Sequence, residues 1–68
     1  MIRMGHNIIK YRQASNLTRG ALAEALSVSR QSVSKWETDA AVPELDKLVR
    51  MASLFQVTLD ELVLTEGD

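Results

Sequence analysis

The sequence predicts an all-α fold, a compact bundle of five helices. Its apolar residues recur at spacings of three and four, which is the period of amphipathic helices. The 68 residues include three Gly and one Pro, too few for the many turns of an all-β domain of this length. They include no Cys, so neither a disulfide framework nor a thiolate metal site holds the chain together. The packing of side chains must therefore hold the fold together. We expect a single domain over residues 1–68.

Two helices are predicted in the first 26 residues. Asn16 tolerates the left-handed conformation that closes a helix, so the first helix ends near it. Thr18 is a good N-cap for a second helix of about two turns, which ends at Ser27. The stripe of the first helix consists of Met4, Ile8, Tyr11 and Arg12, and that of the second helix consists of Leu22, Ala23 and Leu26.

A third short helix is predicted after Ser29, which suits an N-cap. Val33 lies on its inward face, together with Trp36 or Glu37. The other side chains of the helix are polar, so its outer face is expected to be markedly polar. These outward residues are Arg30, Gln31, Ser34 and Lys35.

The clearest periodicity lies in a fourth helix, for which Pro43 suits the first position. Its predicted inward stripe consists of Leu45, Leu48, Val49, Ala52 and Phe55. Thr58 and Glu61 then have the spacing of a capping box at the start of a fifth, short helix. The predicted buried side of this last helix consists of Leu59, Leu62 and Val63.

Charge is distributed unevenly along the chain. Residues 1–36 hold six cations and one acid, a formal charge of +5, whereas residues 37–68 hold two cations and eight acids, a charge of −6. This asymmetry predicts a one-sided basic face, as in a nucleic-acid-binding protein, with chance clustering as the alternative. The cations of the first part are Arg3, Lys10, Arg12, Arg19, Arg30 and Lys35, and its acid is Glu24.

The second and third predicted helices, over residues 18–37 or so, form a candidate helix-turn-helix. Only a residue or two separates them, so they must cross steeply, and the small Ala23 permits close approach. Such a unit presents its second helix to the major groove of DNA. Arg30 and Lys35 can donate to guanine, Gln31 can pair with adenine, and Ser32 can adapt to either base.

The segments NIIKYRQASNLTRGALAEALSVSRQSVSKWE and VPELDKLVRMASLFQVTLDELV resemble, in this order, the Cro/CI-type, XRE-family helix-turn-helix domain of bacterial and phage transcription regulators. The resemblance covers the chain from about Met4 to Val63. It implies a five-helix, lambda-repressor-like bundle that binds double-stranded DNA sequence-specifically through its third helix. By family habit such a regulator is a repressor.

The resemblance also implies roles for individual residues. The base-facing positions of the family are matched by Arg30, Gln31 and Lys35, and Ser32 matches a position that contacts phosphate or a base. Phosphate contacts fall to Arg19, which stands where the family more usually has Gln, and to Thr18 and Ser29. Arg12 and Glu37 match a pair that forms an internal salt bridge, with a phosphate contact as the second interpretation of Arg12.

Three departures from the family pattern bear on binding and stability. Ser27 stands where a Gly is usual, and Gly20 replaces a better helix former. The loop TDAAV carries Asp39 and no cation, whereas the family commonly has Gly and one or two cations there. One phosphate anchor is therefore expected to be missing, which lowers affinity.

The expected partner is a double-stranded DNA operator, bound by a homodimer because one short helix cannot specify a long site. Candidate dimer contacts are Gln56 to Leu59 and the pair Val63 and Leu64, which may equally well cover the core. The native chain can be longer and carry an effector-binding or dimerisation region. The alternative function is a protein-interaction module, such as an antitoxin or adaptor, that binds through its acidic second half.

An enzyme is not expected, because the chain has no Cys and its one His, His6, lies near a terminus. No cofactor or metal site is expected either, since His6 has no second His or Cys as a companion ligand. The sequence contains no apolar run of membrane-spanning length and no signal-peptide core, so we expect a soluble protein of the cytoplasm and no membrane partner.

Overall fold

The computed structural model describes residues 4–64, and five helices in this range confirm the predicted all-α bundle. No helix of this range is long and apolar enough to cross a bilayer. The helices are α1 (Met4–Ala14), α2 (Arg19–Leu26), α3 (Arg30–Glu37), α4 (Leu45–Phe55) and α5 (Leu59–Val63).

Every helix contributes at least one fully buried side chain to a common apolar core. These side chains belong to residues that the periodicity placed inward, apart from Met51, which the predicted stripe of α4 left out. The largest of them are Ile8 from α1, Leu22 and Leu26 from α2, Val33 from α3, Met51 from α4 and Leu62 from α5. Because all five helices share this core, the position of each depends on the others.

The local start signals were predicted correctly at three helices. Thr18 Oγ1 accepts a hydrogen bond from the backbone N–H of Ala21 at 3.0 Å, and α2 begins at the next residue. Ser29 caps α3 in the same way, through the N–H of Ser32 at 3.1 Å. Thr58 and Glu61 form the reciprocal capping box at α5.

The prediction for α4 was wrong at two points. Pro43 is buried but lies outside the helix, which begins at Leu45 because Glu44 takes the extended conformation of an N-cap (φ −67°, ψ 157°). Leu45 and Val49 were expected inside and are 69% and 48% exposed. The buried stripe runs instead through Leu48, Met51, Ala52 and Phe55.

The same error affects α5, where Leu59 was expected on the buried side and is 38% exposed. The physical reason is common to both helices. Apolar residues lie on two faces of each, so spacing alone does not decide which face turns inward.

Helices α1 to α4 are each followed by a non-glycine residue with left-handed backbone. Asn16, for which this conformation was predicted, has φ 58°, as does Ser27, which stands where the family usually has Gly. Asp39 and Gln56 have φ 61° and 59°. At Ser27 the backbone N–H reaches the carbonyls of Ala23 and Glu24, so the helix is properly closed. Each such residue without the freedom of Gly carries conformational strain.

The start of α1 is fixed against the end of α3. A Cβ added at Gly5 would lie 2.5 Å from the carbonyl oxygen of Glu37, so only Gly permits this approach. Asp39 Oδ1 accepts a hydrogen bond from the Gly5 backbone N–H at 3.0 Å. The acid that stands where the resemblance implies a cation therefore stabilises the positive end of α1.

The other contact of α1 is with α5. The buried Asn7 donates from Nδ2 to the carbonyl oxygens of Leu62 and Leu64, both at 2.9 Å. These carbonyls belong to the end of a short helix that would otherwise lack partners. One side chain thus joins the first helix to the last.

A buried carboxylate connects α1, α2 and α3. Glu37, the last residue of α3, has a side chain that is 2% exposed, and both of its oxygens are occupied. Arg12 Nε donates to Oε2 at 2.6 Å, which is the internal salt bridge implied by the resemblance, and Arg19 Nε donates to Oε1 at 2.7 Å. Arg12 also donates from Nη1 to the Leu17 carbonyl at 2.8 Å. We call Arg12, Arg19 and Glu37 the Glu37 cluster.

The two glycines at helix starts should respond oppositely to Ala. Gly5→Ala is expected to lower the free energy of unfolding by about 2 kcal/mol, because its new methyl overlaps the backbone of α3. Gly20→Ala is the matched control, since its Cβ would meet no atom closer than 3.8 Å, and should raise stability by up to about 1 kcal/mol. Urea unfolding followed by circular dichroism measures both. Equal effects of one sign would contradict the close packing at Gly5.

Arg12→Ala should destabilise the fold, because it removes one partner of a buried carboxylate. We expect a loss of about 3 kcal/mol, which in a domain of this size lowers Tm by more than about 10 °C. Arg19→Ala should cost about 1 kcal/mol or less, because its side chain is 53% exposed. Thermal melts of the two variants make the comparison, and an unchanged Tm for Arg12→Ala would refute the structural role of this pair.

Candidate nucleic-acid interface

Helices α2 and α3 pack directly on each other, with three residues between them, and α3 turns a polar face to solvent. Val33 is buried beneath it, as predicted, and both of the predicted alternatives, Trp36 and Glu37, are buried with it. Arg30, Gln31 and Lys35 are exposed, and Gln31 and Lys35 lie one helical turn apart on the same side. An exposed helix that carries such donors is the kind of element that a major groove can accommodate.

The serines of α3 are more occupied than the sequence indicated. Ser29 Oγ lies 3.1 Å from Ser32 Oγ and also accepts the Ser32 backbone N–H. Ser32 and Ser34 are half-buried. A contact of Ser32 with DNA must therefore use what remains of its hydroxyl's bonding capacity after the bond to Ser29.

An open polar cleft separates the start of α2 from α3. The stem of Arg30 lies along Gly20, since Arg30 Cδ would be 3.8 Å from a Cβ added there. Arg30 therefore borders both the exposed face of α3 and this cleft. The lining residues are Arg12, Thr18, Arg19, Gly20, Arg30 and Ser34.

The cleft carries positive charge. Three arginines line it, and Glu37, whose carboxylate binds two of them, offsets one charge. The exposed N-terminus of α2 adds the partial positive charge of its free N–H groups. An anionic group such as a phosphate is the chemical class that this arrangement attracts. No cluster of three or more His, Asp or Glu within residues 4–64 is placed to hold a metal ion.

Two contributions to the site were missed by the sequence analysis. Arg19 was assigned to phosphate alone, yet its Nε is bound to Glu37, which fixes its direction. Arg50 was counted only as a charge, yet its Nη2 donates to the Ala25 carbonyl at 3.0 Å and stabilises the C-terminal end of α2. Both are contacts between residues 18 or more positions apart, for which local spacing contains no signal.

Comparison with known proteins finds a helix-turn-helix family model and relatives that are transcription regulators by name. The family model described as Helix-turn-helix matches residues 8–62. The HTH-type transcriptional activator BcrR of Enterococcus faecalis is 44% identical over 52 residues, which are 76% of this chain and 26% of that protein. The cryptic phage CTXphi transcriptional repressor RstR of Vibrio cholerae is 26% identical over 61 residues, 90% of this chain and 54% of that one.

Solved structures agree on the fold. The P22 c2 repressor protein in complex with synthetic operator 9T superposes with a TM-score of 0.82 at 28% identity, covering 96% of each chain. A transcriptional regulator from Listeria innocua superposes with a TM-score of 0.87 at 25% identity, covering 100% of this chain and 67% of that one.

The chain spans between about a quarter and about half of the length of the curated relatives it matches. The matched part includes α2, the turn and α3, together with the helices that hold them. The five-helix fold is that of a lambda-repressor-like domain. The chain belongs to the helix-turn-helix family.

Proposed function

We propose that this chain binds double-stranded DNA sequence-specifically and thereby regulates transcription. The observation that carries the proposal is the exposed polar face of α3, held outward by a buried face of Val33, Trp36 and Glu37. The P22 c2 repressor, which covers nearly the whole chain, was solved in complex with an operator. An α-helix fits the major groove, where each base pair presents a distinct set of donors and acceptors.

In the proposed complex α3 supplies the base contacts. Gln31 pairs with adenine through its amide, and Lys35, one turn later, donates to guanine. Arg30, at the start of the helix, donates to guanine or to the adjacent phosphate, because it borders both the groove face and the cleft. Ser32 completes this set with the capacity left by its bond to Ser29.

Phosphate contacts come from the start of α2 and from the two N-cap residues. Arg19 uses Nε for Glu37, which leaves its two terminal nitrogens to donate to a phosphate. Thr18 and Ser29 lie at helix starts, where free backbone N–H groups attract anions. Arg12 lines the same cleft and is nearly buried, so its main part is to hold Glu37 and, through it, Arg19.

We propose that the regulation is repression. A domain that occupies a promoter blocks it without any further contact, whereas activation needs a second surface that engages the transcription machinery. The relatives include both an activator and a repressor by name. A reporter gene placed behind a selected binding site tests whether the protein represses or activates. Increased expression in the presence of the protein would refute repression.

The proposed active form is a homodimer in the cytoplasm, on an operator with two half-sites. One α3 contacts only a few base pairs, so a second copy is needed to specify a site of useful length. The relatives are longer than this chain, and we propose that the native protein can carry a further effector-binding or dimerisation region.

Gln31→Ala should remove sequence preference at one base pair. A good bidentate contact contributes about 1–3 kcal/mol of discrimination, so the affinity ratio between the selected base and its variants should fall by roughly 5-fold to 150-fold. DNA fragments selected by the wild-type protein, measured by fluorescence anisotropy against single-base variants, provide this ratio. Gln13→Ala, an exposed glutamine of α1, is the matched control. Preference unaffected by both Gln31→Ala and Lys35→Ala would favour the protein-interaction module.

Arg19→Ala should weaken binding to every DNA sequence alike. Loss of one phosphate contact is expected to reduce the slope of log K against log salt concentration by about one. Lys47→Ala, which removes a cation from the other half of the chain, should leave the slope unchanged. Salt titrations of the wild type, Arg19→Ala and Lys47→Ala on one duplex measure the three slopes. A change in base preference with Arg19→Ala would contradict the assignment of Arg19 to phosphate.

A further inference from the structure

Helix α3 turns two different rows of polar side chains toward its surroundings. Arg30 and Ser34 are four positions apart, so they lie one above the other on one side of the helix, and both line the cleft beside α2. Gln31 and Lys35 form the next row, turned by about 100° around the helix axis, and neither lines the cleft. Ser34 is half-buried, whereas Gln31 and Lys35 are exposed. The first row therefore faces α2, and the second faces solvent.

The path of the Arg30 side chain is open because the neighbouring residue of α2 is a glycine. A Cβ placed at Gly20 would lie 3.8 Å from Arg30 Cδ and 3.9 Å from Thr18 Oγ1, both ordinary contact distances. The stem of Arg30 thus passes beside the bare backbone of the first turn of α2. Because the guanidinium begins one bond beyond Cδ, it lies beside the start of α2, in the cleft that Arg30 lines.

Protein groups neutralise the charge of this cleft only in part. Arg12 and Arg19 both bind Glu37, whereas Arg30 forms no salt bridge within the described part of the chain. Arg30 therefore adds a positive charge to two guanidinium groups that share one carboxylate, at the positive end of α2. These like charges repel one another, and a bound anion removes the repulsion. Guanine offers only the neutral acceptors O6 and N7, whereas a phosphate bears a full negative charge, so phosphate is the acceptor that this position favours.

We propose that Arg30 contacts the DNA backbone and not a base, and that Gly20 is the positioning residue that directs it there. This inference rests on the proposed function, in which Arg30 has either guanine or phosphate as its acceptor. The row that Arg30 shares with Ser34, the open space at Gly20 and the unneutralised charge of the cleft all select phosphate.

Base readout by α3 then depends mainly on Gln31 and Lys35. Ser32 shares its hydroxyl with Ser29 at 3.1 Å, and Arg30 is engaged with the backbone. The half-site is accordingly specified by few direct contacts, with adenine opposite Gln31 and guanine opposite Lys35. A change of either base lowers affinity, whereas no single base change reproduces the loss of Arg30.

Arg30→Ala tests the assignment on DNA fragments selected by the wild-type protein. We expect the slope of log K against log salt concentration to fall by about one. Affinity for the selected duplex and for a scrambled duplex should fall by the same factor, about tenfold, because the lost contact carries no sequence information. Fluorescence anisotropy against single-base variants should give preference ratios within about twofold of the wild type. Arg30→Lys keeps the charge and should retain the slope, and Lys47→Ala is the control on the other half of the chain.

Loss of preference at any one base pair with Arg30→Ala would overturn the inference, whatever the salt slope does. The proposed function would survive that result, because Gln31→Ala reports on base readout independently of Arg30. An unchanged salt slope with Arg30→Ala would overturn the inference as well. Failure of the wild-type protein to select any DNA sequence would reject the proposed function and this inference together.

Gly20→Leu tests the positioning role. A leucine side chain occupies the path of the Arg30 stem, so the variant should lose the same slope and the same affinity as Arg30→Ala. In the Arg30→Ala background Gly20→Leu should have no further effect, since the contact that it disturbs is already gone. Ala25→Leu is the matched control, because this exposed residue of α2 does not line the cleft and should leave the slope unchanged.

Thermal melts verify that each of these variants is folded before its affinity is compared. Leu is a better helix former than Gly, so Gly20→Leu should not lower Tm. If Gly20→Leu leaves the salt slope at the wild-type value, or if its effect simply adds to that of Arg30→Ala, Gly20 does not direct Arg30 and the positioning role is refuted.

Discussion

The domain depends on one carboxylate that is kept out of water. Glu37 is the last residue of α3, and its two oxygens are held by guanidinium groups from α1 and α2. A buried charge without partners costs several kcal/mol, at least about 3 kcal/mol by analogy with broken buried ion pairs. A movement of α1 or α2 that separates its arginine from Glu37 is therefore unfavourable. The orientation of the helix that presents Gln31 and Lys35 is consequently set by electrostatics as well as by the apolar core. Gly5 and Asp39 then fix the same end of α3 against the start of α1.

The Glu37 cluster also links the fold to the proposed binding of DNA. Its two arginines and one carboxylate leave a net positive charge at the mouth of the cleft. A phosphate bound there would neutralise this charge while the Nε of Arg19 stays on Glu37. The family more usually has Gln at this position. A Gln amide is uncharged and has only one donor group, whereas the Arg guanidinium is charged and keeps donors free after binding Glu37. If Arg19 contacts phosphate as proposed, it offsets part of the affinity that we expect to be lost with the cation missing from the loop after α3.

Local features were the part of the structure that the sequence predicted well. Thr18, Ser29 and the Thr58–Glu61 box were identified because an N-cap acts on a backbone group two or three residues away. The contacts of Gly5, Asn7 and Asp39 join positions 34 to 57 residues apart, and nothing in their neighbourhoods distinguishes them. Leu45 and Val49 were assigned to the core because α4 is apolar on two faces. The candidate site was predicted from resemblance and charge distribution, whereas the engagement of Arg19 with Glu37 required coordinates.

The left-handed helix ends have a consequence for how long the protein persists in the folded state. Asn16, Ser27, Asp39 and Gln56 each hold a side chain in a conformation that costs roughly 1–2 kcal/mol for an ordinary residue and somewhat less for Asn and Asp. A small domain has a total stability of only about 5–15 kcal/mol, so four such positions are a substantial fraction. We expect a chain built in this way to open more often than its core alone would allow, which would expose it to proteolysis and shorten its cellular lifetime. If the chain regulates a gene as proposed, rapid turnover shortens the time in which the state of that gene can be reset.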